Sequence, residues 1–127
     1  MFRNTPFNGN IGNWNVSSVT HMASMFRTSA FNQDIRDWNV SSVKDMNYMF
    51  YGASSYNQAL NPWNVSSVTR MDYMFYGASV FNRKLHNWDV SSVTDMSYMF
   101  VDTTNFNPDI GLDSWTCLLY TSPSPRD

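Results

Sequence analysis

A single phrase, written four times, limits what this chain can fold into. It reads "WNVSSVTHMASMF" from Trp14, "WNVSSVKDMNYMF" from Trp38, "WNVSSVTRMDYMF" from Trp63 and "WDVSSVTDMSYMF" from Trp88. The tryptophans are 24, 25 and 25 residues apart. A unit of that length cannot enclose a core of its own, whereas a stack of such units can. The spacing predicts a partial repeat over 1–13 and repeats over 14–37, 38–62, 63–87 and 88–114. Met1-Phe2, followed by Phe7-Asn8 and Ile11, reproduces Met25-Phe26, Phe31-Asn32 and Ile35. The chain therefore reads as opening in mid-repeat, with Met1 an internal methionine of a longer protein.

Within the unit from Trp38, Val43, Met46, Met49, Phe50 and Ala53 recur at helical steps and predict a short amphipathic helix. Ser42 and Asp45 resemble a capping box at its start, though His21, Arg70 and Asp95 stand at the Asp45 position elsewhere. Gly52 and Gly77 fall where a left-handed residue would close the helix. In "FNRKLHNW", the anchors Phe81, Leu85 and Trp88 predict a brief strand over 83–85 between turns. Asn8, Asn32, Asn57, Asn82 and Asn107 share one register and should form a buried ladder of amides that satisfies neighbouring backbone groups.

Composition narrows the function classes. A net charge of −2 leaves no basic footprint for nucleic acid or anionic lipid. Aromatic residues make up 17% of the 127 residues, enough apolar surface to argue against disorder. No apolar run is long enough to span a membrane. The one cysteine, Cys117, lies past the repeats, so residues 1–116 can hold no disulfide or thiolate site. His21 and His86 occupy unrelated registers, and Asp34, Asp37, Asp45, Asp95 and Asp109 are scattered. Asp34 aligns with Ala59 and Lys84, which breaks any calcium ladder. The paired methionines lie on the apolar stripe, where methionine is packing material rather than a soft-metal ligand. The sequence thus offers no catalytic residue, metal site or cofactor.

What varies between units should face solvent: positions 44, 45, 47 and 48 and their equivalents. Tyr48, Tyr73 and Tyr98 recur there, with Tyr51 and Tyr76 beside them. Stacked units would align them as an aromatic ladder able to stack on sugar rings or anchor a protein. The competing expectation is that the rings lie flat between neighbouring helices and complete the packing. The candidate partner surface is Tyr48, Tyr51, Arg70, Asp72, Tyr73, Tyr76 and Tyr98. Asn15, Asn39 and Asn64 begin Asn-x-Ser sequons. Asp89 at the fourth equivalent position favours a turn role common to Asn and Asp.

The pattern "NVSSVTDMSYMF…FNQDI…W" over residues 1–116 resembles the repeat of BspA-like leucine-rich-repeat surface proteins, in their Trp/Met-rich variant. Asp89 in place of Asn, and "GLDS" at 111–114, depart from it. The resemblance implies an α/β repeat solenoid, a leucine-rich-repeat-like right-handed stack of short parallel strands and short helices. It also implies a secreted or surface-anchored protein, adhesion or host and matrix contacts as attributed to some members, and no catalytic residues. The segment "CLLYTSPSPRD", 117–127, resembles a translated sequencing adapter and is set apart from the fold. The leading expectation is a non-enzymatic adhesion or recognition module. A structural spacer and the non-catalytic part of a larger enzyme are the competitors. An abruptly ended stack should also associate end to end and be marginally stable.

Overall fold

The structure, a computed structural model, describes residues 1–105. Asn107, Asp109, Trp115, Cys117, the segment 117–127 and the end of the repeat expected over 88–114 lie outside the described residues.

Successive units lie one upon another, but the expected α/β solenoid of helices and strands is not formed. Among the described residues there is no helix, and pairing of strand type is confined to isolated parallel bridges, His21 to Asp45, Asp45 to Arg70 and Arg70 to Asp95. These bridges fall in the half of the unit expected to be helical. The half expected to form a strand over 83–85 has none.

The backbone of 46–53 shows why a helix fails. Tyr48 has φ 60° and Gly52 φ 65°; Tyr73 (59°) and Gly77 (70°), Ser24 (59°) and Thr28 (54°), and Tyr98 (59°) and Asp102 (59°) repeat the pair. Two left-handed residues four apart break any right-handed helix. The chain folds instead into consecutive four-residue turns. Met49 N–H donates to the Met46 carbonyl (3.2 Å), Tyr51 to Tyr48 (3.2 Å) and Ala53 to Phe50 (3.0 Å). A positive φ at the third residue, as at Tyr48 and Gly52 in the first and last of these, is the mark of a type II turn. Turns closed over three residues bring positions three and four apart to one side, which is why the apolar spacing imitates a helix. Val43, Met46, Met49, Phe50 and Ala53 are all fully buried.

The alternate N–H groups point along the stack. Met46, Tyr48, Phe50 and Gly52 donate to the carbonyls of Arg70, Asp72, Met74 and Tyr76 at 3.0, 3.1, 2.8 and 2.7 Å. The acceptor carbonyl of residue 70 and the N–H of Met71 belong to one peptide group, and that N–H donates onward to Asp95 (2.8 Å). Equivalent peptide groups thus form hydrogen-bonded columns whose dipoles add, as they do along a helix. Every N–H from Met46 to Ala53 is satisfied, Asn47 by the Asp45 carboxylate (2.9 Å). Asp45 caps a turn here and not a helix.

Side chains repeat the same stacking. Phe2, Phe26, Phe50, Phe75 and Phe100 form a column with centroids 5.5–5.8 Å apart. A second column, Phe7, Phe31, Tyr56 and Phe81, runs beside it at 6.0–6.2 Å. The rings of Trp38, Trp63 and Trp88 lie almost parallel, 6.4 and 6.5 Å apart. Each indole N–H reaches back one unit, to the carbonyls of Ile11 (3.0 Å), Ile35 (2.9 Å) and Leu60 (2.9 Å). The asparagine ladder forms, with Asn32, Asn57 and Asn82 N–H donating to the side-chain oxygens of Asn8, Asn32 and Asn57. It lies at the surface rather than buried, since its members are exposed or half-buried.

The first unit ends differently. Trp14 is 44% exposed where Trp38, Trp63 and Trp88 are 2–3% exposed. Together with Met1, Val16, Val19, Met22 and Met25 it lines an apolar hollow of about 300 Å³.

Candidate functional site

The left-handed turns carry tyrosine to the outside in three units. Tyr48 stacks on Tyr73 with centroids 4.7 Å apart, and Tyr73 on Tyr98 at 5.1 Å. Tyr51 and Tyr76 make a second column at 4.9 Å. Tilted contacts tie the columns together, Tyr48 to Tyr51 at 5.4 Å and Tyr73 to Tyr76 at 5.6 Å. The rungs are spaced like neighbouring strands of a sheet, because the peptide columns set the rise. Four of the rings are half-buried and Tyr98 is exposed. The rings pack flat on one another and stay partly open to solvent. Burial, then the neighbouring Tyr48 and Tyr98, raises the Tyr73 phenol above its usual range.

Arg27 closes one end of the ladder. Its guanidinium lies 4.7 Å from the Tyr48 ring centre and 4.6 Å from that of Tyr51, a cation–π arrangement. Sequence reasoning missed this residue. The signal was available: Arg27 holds the register that Tyr51 and Tyr76 hold in later units.

Arg70 and Asp72 flank the ladder as a two-pronged ion pair. Nε donates to Oδ1 at 3.1 Å and Nη2 to Oδ2 at 3.0 Å. The carboxylate raises the Arg70 guanidinium above its usual value. Asp72 does not face out as its variation between units suggested, since its side chain is 6% exposed against 47% for Arg70. The two halves of the pair are therefore unequal. Arg70→Ala strands a buried carboxylate, whereas Asp72→Ala leaves a guanidinium that water can solvate. Because Arg70 is half-exposed, the loss expected for Arg70→Ala is only about 1–2 kcal/mol. Urea melts should show it exceeding the loss for Asp72→Ala.

The sequons have a turn role throughout. The side-chain oxygens of Asn15, Asn39 and Asn64 each accept the N–H two residues on at 3.1 Å, and Asp89 accepts from Ser91 at 3.0 Å. Among the described residues no three His, Cys, Asp or Glu side chains gather as a metal site. No helix there is long and apolar enough to cross a membrane. Met46, Met49, Met71 and Met74 are fully buried in the core.

One family model matches, described as "Mycoplasma protein of unknown function, DUF285", over residues 1–79 and again over 55–118. No curated protein and no solved structure matches the chain.

Proposed function

The chain belongs to the DUF285 family of Mycoplasma proteins of unknown function, and from that premise we propose that it is a non-enzymatic recognition module acting at a cell surface. Its contact surface is the tyrosine ladder, Tyr48, Tyr51, Tyr73, Tyr76 and Tyr98, with Arg27 and Arg70 at its margins. One observation carries this reading. Tyr48, Tyr73 and Tyr98 all sit at φ near +60°, where a bulky side chain is disfavoured. The equivalent residue of the first unit is Ser24, and the next left-handed position takes Thr28, Gly52, Gly77 and Asp102. Residues without a ring therefore serve these turns. Strained backbone that persists unit after unit marks a side chain kept for its own sake. Tyrosine offers wide contact area at low conformational cost, which suits it to recognition.

The resemblance to BspA-like surface repeats supports the location and an adhesive role for protein or glycan. The spacer reading keeps one support of its own, because the tyrosine faces are already occupied by each other. A glycan array and a cell-binding screen with the triple variant Tyr48→Ser/Tyr73→Ser/Tyr98→Ser separate the two. Recognition predicts that binding weakens about tenfold or more, as loss of interface aromatics does. Binding unchanged by the triple variant would leave the spacer reading standing.

A further inference from the structure

The ladder's partner can be narrowed from what its rings leave free. Tyr48 meets Tyr73 at an interplanar angle of 8°, and Tyr51 meets Tyr76 at 6°, so the facing sides of the rings are spent within the stack. A partner approaching from solvent meets ring edges and phenol groups. No hydrogen bond links the phenols of Tyr48, Tyr51, Tyr73, Tyr76 or Tyr98 to another described residue. A phenol both donates and accepts, so a row of phenols is complementary to another such row. The rungs recur every 4.7–5.1 Å. A second copy of the chain has that same period by construction.

Charge at the two ends of the ladder fixes the orientation. Arg27 stands at one end and makes no ion pair among the described residues; its guanidinium lies on rings. At the other, Val101 holds the register of Arg27, and Asp102 follows it, exposed, in the left-handed position that Gly52 and Gly77 hold in earlier units, likewise unpaired among the described residues. Side by side and parallel, two copies would set Arg27 against Arg27 and Asp102 against Asp102. Antiparallel, they set Arg27 against Asp102 twice.

We propose that a second copy of this chain docks antiparallel on the first, tyrosine ladder to tyrosine ladder, in a closed two-fold dimer. This rests on the reading of the ladder as a recognition surface and names its partner, so that the adhesion is between copies of the same protein. An isologous contact of this kind stops at two copies, whereas stacking through the apolar end around Trp14 would be heterologous and open-ended.

Sedimentation velocity over a concentration series of the full chain tests it. The expected result is a monomer–dimer equilibrium that Arg27→Asp alone and Asp102→Arg alone each weaken about tenfold or more, since each sets like charges together. An equimolar mixture of the two variants should recover the dimer. The carboxylate introduced in one variant then meets the guanidinium introduced in the other, and the unaltered Arg27 and Asp102 meet at the opposite end. Neither variant touches the core, and Asp102→Arg places a large side chain at a left-handed position as Tyr48, Tyr73 and Tyr98 already do, so both should fold. Three results overturn the proposal: a monomer at every concentration, a dimer indifferent to the single variants, or a mass that grows past two copies without limit. If the chain is monomeric yet the triple tyrosine variant loses binding in the cell screen, recognition stands and self-recognition falls. If the triple variant changes neither readout, both fall.

Discussion

Phe50→Ala is expected to cost about 3–5 kcal/mol of folding stability, the usual range for emptying a buried phenylalanine site. Phe50 is fully buried at the middle of its column. Its ring lies 5.5 Å from Phe26 below, 5.5 Å from Phe75 above and 4.3 Å from Tyr56 at its side. Truncation therefore removes three ring contacts at once and opens a cavity the neighbours cannot close, because each is held by its own peptide column. A small domain has only about 5–15 kcal/mol to lose, so the variant should be largely unfolded in mild urea. Phe2→Ala removes a half-buried ring at the end of the same column, where Phe26 is the neighbour on one side only. Its urea midpoint should fall much less. Equal losses at Phe2 and Phe50 would show that the column is not the source of the stability.

That column was legible in the sequence, and the backbone that carries it was not. Repetition of Trp, Val, Met and Phe at constant offset is forced on a chain whose like residues meet across units, and Phe26, Phe50 and Phe75 do meet. The asparagine register was readable for the same reason. The element type was misread because steps of three and four residues arise in a helix and also in successive four-residue turns. The deciding information sits at Tyr48, Tyr73 and Tyr98, whose left-handed φ no propensity scale would assign to tyrosine. Gly52 and Gly77 did carry a readable sign, but as residues in turns rather than helix ends. Within the site, the tyrosine alignment was visible, whereas the burial of Asp72 was not. Variation between units does not mark an outward residue where left-handed positions reorient the chain. Arg27 was overlooked because it interrupts a tyrosine register instead of extending it.

Tyr56→Phe is expected to raise stability, by about 1–3 kcal/mol if the full desolvation cost of a buried hydroxyl is recovered. The position belongs to the second aromatic column, where the other units place Phe7, Phe31 and Phe81. Tyr56 is fully buried, its ring stacked on Phe50, Phe31 and Phe81, and its hydroxyl has no hydrogen-bond partner among the described residues. Phenylalanine keeps the ring and the stacking and removes only the orphaned group. A higher urea midpoint at unchanged slope is the expected signature. Alkaline pH supplies an independent check. Burial, reinforced by the nearby Asp34, pushes the Tyr56 phenol well above its usual 10.0. In the unfolded chain the phenol ionises near its ordinary value, while in the folded chain it stays protonated. The unfolded state then binds fewer protons, so stability falls as pH rises past about 10. Tyr56→Phe should soften that fall and leave the curve below about pH 9 parallel to the parent's. A variant less stable than the parent would mean that the hydroxyl has a partner in the folded protein, and an alkaline loss left intact would mean that other groups cause it.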